Sequence, residues 1–266
     1  MNEVAKKQES LPTLTNLEEF SGQGTENITA RDTKLPILKI LYANSPVLDD
    51  SDGKYNEKAK QGDIYNEVTG SLYKSKEGVY VVPCLFINTW NEWADRGDSP
   101  GRPYAIYVSQ KDQEAAVGKT QRADDGKDRL ENGHYVEDTG NHFVYILDKD
   151  FNPIESAVIT MKSTQKKKSK LWNSMMQSKR MKGKNGYFIP PSWASVYKLT
   201  TTKESGGGNN WFGWVVEFVK FLDKPDDKGT LEITKGFYEG AKQSDIFGKV
   251  EFAEDKNKIV KEDVPF

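Results

Sequence analysis

Cysteine is nearly missing from this chain: Cys84 stands alone. A single thiol excludes a disulfide framework and a cysteine-built zinc site. Histidine is almost as scarce, and His134 and His142 fall at no zinc-ligand spacing with Cys84. Both read as ordinary loop or strand residues, so neither a metal nor a cofactor is expected. There is no apolar run long enough to span a bilayer and no signal-peptide pattern, which points to a soluble, cytoplasmic protein without a membrane partner. Charge of one sign is not in excess either. Net charge is −2, with hydrophobic residues at 36% and charged residues at 29%. That balance excludes a uniformly basic protein but leaves room for a local basic surface.

The 266 residues suffice for one large domain or two small ones. Residues 1–33 are polar apart from an amphipathic patch at 11–20, and read as a flexible arm. From residue 35 short apolar runs set in. Strands are expected at 35–41, 62–68, 78–93, 104–108, 142–147 and 154–161. Pro83, inside the strongest run, should mark an edge or a bulge. A polar stretch covers 109–138. Residues 193–202 and 211–222 then read as a long hairpin across the glycine-rich connection 205–210. Short, turn-separated strands of this kind indicate a mainly β (α+β) fold, a small antiparallel barrel or sandwich.

One core helix is expected within 164–181, capped by Ser163 or Thr164. Leu171, Trp172, Met175 and Met176 share one face, and Lys166, Lys170, Asn173, Gln177 and Arg180 line the other. Lys162, Lys167, Lys168, Lys179, Lys182 and Lys184 add charge nearby. Between Ser156 and Lys203 there is no Asp or Glu, although the chain holds 40 acids against 38 bases. A lysine run is commonly just a solvated helix face. Here repulsion is unrelieved within the segment, and Trp172, Tyr187, Phe188, Trp193 and Tyr197 interleave it. Cations beside rings are what sequence-tolerant single-strand binding requires. Phosphates release counterions to Lys and Arg, and bases stack on aromatics. Trp211 and Trp214 lie on a strand that is apolar on both faces and are assigned to the core. Trp90, Trp93 and Trp193 are the better stacking candidates, while Trp172 is equally suited to seating the helix.

Catalytic signals are thin. Val117-Gly118-Lys119-Thr120 matches the end of a phosphate-binding P-loop, but Gln113 stands where that motif needs Gly, and no strong strand precedes it. Asp124, Asp125, Asp128 and Glu131 form an acid-rich stretch such as a two-metal nuclease uses. Acids of a solvated loop look the same. No catalytic residue is assigned, and a non-enzyme is expected.

The stretch 163–174, followed by Pro190-Pro191 and Trp211-Phe212-Gly213-Trp214, resembles a family of tailed-phage single-stranded DNA-binding proteins. Gly62-Asp63-Ile64-Tyr65-Asn66 and Val82-Pro83-Cys84 fit the same pattern, so the resemblance runs over 35–222. It implies an OB-like antiparallel barrel, single-stranded DNA as ligand, and a role in phage replication or recombination in the host cytoplasm. The last residues, Glu262, Asp263, Val264, Pro265 and Phe266, resemble the C-terminal tip by which bacterial and phage proteins of this kind recruit replication and repair enzymes. A terminal carboxylate and ring can enter a pocket together while the acids meet a basic rim. From residue 223 onward acids only modestly outnumber lysines, a departure from strongly acidic tails. The expected organisation is an arm at 1–33, an OB-like DNA-binding domain at 34–223, and a mobile region at 224–266 with a helix near 231–243. Rival classes are a metal-dependent nuclease and a phage assembly or interaction protein whose basic helix meets an acidic partner.

Overall fold

The computed structural model describes residues 20, 22–28, 32–34, 36–95, 97–98 and 101–243. Most of the arm at 1–33, including nearly all of the 11–20 patch, and the whole 262–266 tip lie outside them. Strands β1 (Leu38–Ile40), β2 (Ile64–Asn66) and β3 (Leu72–Tyr73) make a small antiparallel sheet of their own. Next come β4 (Val79–Trp93), β5 (Ala105–Tyr107), helix α1 (Gln110–Val117), β6 (Gln121–Arg122) and β7 (Asp128–Arg129). They are followed by β8 (Tyr135–Leu147), β9 (Pro153–Lys162), α2 (Lys166–Ser178), β10 (Met181–Gly183) and β11 (Gly186–Phe188). β12 (Ser195–Gly206), β13 (Asn209–Phe221) and α3 (Lys228–Gln243) complete the described chain.

Eight strands form one antiparallel sheet in the order β13-β12-β4-β8-β7-β6, with β5 also on β4 and β9 also on β8. It is curled into a half-barrel. The fold is therefore mainly β, as expected, and every expected strand has a counterpart in it. Along β8, Val144 and Ile146 point to one side and Phe143, Tyr145 and Leu147 to the other. Both sets are covered. On the first side Val81, Ile146, Ile159, Leu199 and Trp214 pack with Trp172 of α2 and with Leu38, Ile40 and Ile64 of the small sheet. On the second, Val82, Cys84, Leu147 and Val196 meet Leu231, Phe237 and Tyr238 of α3, and Phe143 and Val158 meet Ala241. The helix expected near 231–243 thus begins at Lys228 and is packed on the sheet, where a mobile region had been expected.

Pro83 behaves as its chemistry demands. The β4–β8 register shifts between Pro83 and Leu85. On the opposite edge, β12 pairs with β4 only as far as Val81 and β5 begins only at Glu92 to Trp90. A residue without an N–H therefore sits at a bulge, on a stretch that needs no ladder donor on that edge. The bulge also reverses the alternation: Val79 and Val81 face α2 before it, and Phe86 faces that side after it, against His142 at 4.8 Å. At the other end of the sheet, Gly207 and Gly208 with φ of 55° and 79° close the β12–β13 hairpin in a mirror-image turn. The outer edge of β13 is occupied by side chains. Trp214 N–H donates to Gln165 Oε1 at 3.0 Å, and the Tyr42 hydroxyl donates to the Phe212 carbonyl at 3.4 Å.

The polar stretch 109–138 holds more structure than expected. Ser109 caps α1 by accepting from Asp112 N–H at 3.2 Å, and β6 and β7 follow. Gly118 of the P-loop-like tetrapeptide lies at the C-terminal end of α1. Carbonyls, not amides, gather there, so it is no phosphate cradle.

Helix α2 approaches β8 closely at Gly140. A Cβ on that residue would stand 2.4 Å from Ser169 Oγ and 3.2 Å from the Phe86 ring. Gly140→Ala should therefore destabilise the protein by about 1–3 kcal/mol in urea titration. Ser169→Ala, which removes the nearest atom, should cost less in that background than in the native one. Strictly additive losses would show that the two residues do not meet.

Candidate nucleic-acid interface

The basic helix begins under electrostatic load. β9 turns into it through Ser163 at φ 50°, a left-handed position, and a short 3-10 turn from Ser163 to Gln165. Neither Ser163 nor Thr164 caps α2. Gln165 is the N-cap and makes no side-chain cap bond, because its amide oxygen is held by Trp214. Lys166, Lys167 and Lys168 then occupy the first turn, where the helix dipole is positive and cations are disfavoured.

Acids from distant strands answer that load. Lys166 is bonded to Asp138 of β8 and to Asn88 of β4. Lys168 pairs with Glu204 of β12 at 2.6 Å, and Glu204 also accepts from Trp211 Nε1 at 2.9 Å. The hydrogen bond from Lys168, ahead of the opposing effect of burial, holds the Glu204 carboxyl below the usual range. Lys162 pairs with Glu137 at 2.9 Å and lies 4.7 Å above the Trp93 ring. Lys179 lies 4.2 Å above Phe218. The repulsion that no acid of the segment relieves is thus relieved from outside it, by Glu137, Asp138 and Glu204. Sequence spacing could not single out these three among 40 acids.

The inner face of α2 is set by Trp172. It is wholly buried and stacks on His142 at 4.4 Å and 19°. His142 Nε2 shares a 2.8 Å hydrogen bond with Ser169 Oγ. Trp172 therefore seats the helix, and His142 is a core strand residue. Burial, and then the Lys166 charge, lowers the imidazole pKa to about 3, so the ring is neutral at pH 7. Leu171, expected inward, is 56% exposed. Ser169 takes the inward place beside Gly140, which turns the helix from the expected face and leaves Met175 and Met176 half-buried at its margin.

What remains outside is a stripe. Lys167, Lys170, Leu171, Ser174 and Gln177 are exposed and recur every three or four residues. Arg180, just beyond, donates to the Gln177 and Lys179 carbonyls at 2.6 and 3.1 Å. Lys182 and Lys184 are exposed on the β10–β11 hairpin together with Tyr187 and Phe188. Lys167, Lys170, Lys182 and Lys184 enter no ion pair among the described residues. The candidate tryptophans do not join them in one row. Trp90 and Trp93 alternate to opposite faces of β4, and Trp193 packs beside Tyr238 of α3 at 6.5 Å. Trp214 is core, as expected, and Trp211 is half-buried against Glu204.

The acid-rich stretch faces cations. Asp95 meets Lys127 at 2.9 Å and Arg129 at 3.0 Å, Arg129 meets Asp125 at 2.6 Å, and Arg122 meets Asp128 at 3.0 Å. Hydrogen bonds from Arg129 and then Lys127 draw Asp95 down to about 2. Asp124 and Glu131 are exposed. His134 bonds Glu92 at 2.7 Å, beside Tyr107 and Asn132 on the same carboxylate. Among the described residues no group of three or more metal-binding side chains is placed to hold an ion.

Fold and surface together define a mainly β protein whose curled sheet carries a helix with a cationic outer stripe. The chain belongs to the family described as Pam3 phage gp34-like protein, matched over residues 5–246, and is a phage protein. No curated protein and no solved structure matches it. No helix among the described residues is long and apolar enough to cross a membrane.

The depressed pKa of His142 has a pH consequence. The unfolded imidazole takes up a proton near pH 6.5, the folded one only near 3, so stability falls as pH drops through that window. The expected loss is up to about 1.4 kcal/mol per pH unit below 6.5. In urea titrations at pH 7 and 5, His142→Gln should lack this component. An equal pH dependence in the variant would show that His142 is not its source.

Proposed function

We propose that this is a non-catalytic, sequence-tolerant single-stranded DNA-binding protein acting in phage DNA replication or recombination. One observation supports the reading above the rest: with Glu137, Asp138 and Glu204 already paired to Lys162, Lys166 and Lys168, Lys167, Lys170, Lys182 and Lys184 still face solvent without an ion pair among the described residues. A polyanion laid along the outer side of α2 would relieve their repulsion and release its own counterions. In this reading the half-barrel serves as an OB-like platform in the host cytoplasm. Lys162, Lys166 and Lys168 act as struts, and Lys167, Lys170, Arg180, Lys182 and Lys184 track phosphates. The tip residues Glu262, Asp263, Val264, Pro265 and Phe266 recruit replication or recombination proteins. The exposed Leu171 inside the stripe favours one alternative, an acidic protein surface with an apolar contact at its centre.

The lysines separate the readings. Lys167→Ala with Lys170→Ala should weaken oligothymidine binding, lower the salt slope by roughly 1.4 and leave stability unchanged. Lys166→Ala with Lys168→Ala should instead lower the melting temperature, because Asp138 and Glu204 lose their partners. An unchanged salt slope in the first pair removes α2 from the interface. No binding of any strand at low salt would favour the acidic protein partner.

Removing Val264, Pro265 and Phe266 should leave DNA affinity nearly intact and abolish capture of partner enzymes in pull-downs. A collapse of DNA binding would instead make the tip structural.

A further inference from the structure

The β10–β11 hairpin stands apart from the main sheet as a two-stranded sheet of its own. Its register, Met181↔Phe188, Lys182↔Tyr187 and Gly183↔Gly186, sorts the side chains by alternation. Lys182 and Tyr187 share one face; Met181, Gly183, Gly186 and Phe188 share the other. A Cβ on Gly183 would stand 3.1 Å from Phe188 Cε1, so the Phe188 ring lies across the glycine and fills that second face. Phe188 therefore packs on its own hairpin.

Tyr187 does something else. It is 76% exposed, and among the described residues it has no hydrogen bond, ring neighbour or cation over its face. Its cross-strand neighbour Lys182 and the turn residue Lys184 have no ion pair there either, and the stretch from Ser156 to Lys203 contains no acid. Arg180 stands at the root of the hairpin, spending its donors only on carbonyls at the end of α2. An aromatic ring left wholly unused, set among free cations, fits a ligand that carries both a π face and phosphates.

We infer that the hairpin is a base-stacking finger. The Tyr187 ring takes the face of an unpaired nucleobase, while Arg180, Lys182 and Lys184 hold the flanking phosphates. This rests on the nucleic-acid reading above and divides its labour. The outer lysines of α2 supply charge that any strand satisfies. The finger supplies the preference for single strands, because bases in a duplex already stack on one another and offer no free face. Every base has such a face, so the preference is independent of sequence.

The test compares the full chain and its variants on labelled oligothymidine, on a strand of equal length with abasic sugars, and on duplex. The wild type should prefer oligothymidine to the abasic strand. Tyr187→Ala should lose oligothymidine affinity by about 5- to 150-fold, with abasic-strand affinity and salt slope unchanged, and Tyr187→Trp should retain the preference. Wild-type affinity of Tyr187→Ala for oligothymidine would overturn the finger while leaving the nucleic-acid reading in place. A parallel loss on the abasic strand would overturn it too, since the ring would then serve the hairpin fold. A wild type that binds no strand at all would remove the underlying reading instead.

Discussion

A helix that opens with Lys166, Lys167 and Lys168 against its own positive dipole end has to be held from outside, and the rest of the molecule is arranged around doing so. Asp138 and Glu204 come from strands on either side of β4, and Gln165 reaches the edge of β13. The Trp172–His142 stack then fixes the depth of the helix, and Gly140 permits it. Each contact spans the curvature of the sheet, so the half-barrel and its helix define one another. Burying polar groups such as His142 and Ser169 against a tryptophan is costly, and the bond between His142 Nε2 and Ser169 Oγ offsets part of that cost.

That arrangement divides one charge cluster into two populations. Cations that meet a carboxylate or lie over a ring belong to the architecture, and their chemistry is consumed. Cations that point outward are left free: Lys167 and Lys170 on the outer side of α2, and Lys182 and Lys184 on the β10–β11 hairpin that follows it. The opposite face of the sheet shows the same economy in apolar form, with α3 covering the residues that the Pro83 bulge brings to that side.

The longer strands were legible because alternation and turn residues are local signals. By contrast β3, β6, β7, β10 and β11, of two or three residues each, are too short to show a pattern and were not. Pro83 announced the bulge, and the glycine-rich connection announced the hairpin. Helix α1 was not legible: Gln110 to Val117 has scarcely any apolar face, so no periodicity exposes it. The existence of α2 was readable, but its rotation was not, because Ser169 rather than Leu171 faces inward at a close approach that depends on Gly140, far away in sequence. For the same reason the lysines could be collected as a cluster but not divided. Their division is written in Glu137, Asp138 and Glu204, which only the folded sheet brings near. Trp193 looked like a free ring because its cover, α3, was expected to be mobile.

The struts of α2 reach partners 28, 49 and 78 residues away in the chain. During synthesis Asn88 and Asp138 emerge before the helix, whereas Glu204 and Trp214 emerge after it. When α2 first leaves the ribosome it can therefore be only partly anchored, with Glu204 and the edge of β13 still to emerge. Non-local closure of this kind is slow relative to helix formation. The outer lysines are thus displayed before the inner ones are fully restrained, and β13 is the element that finishes the helix seat.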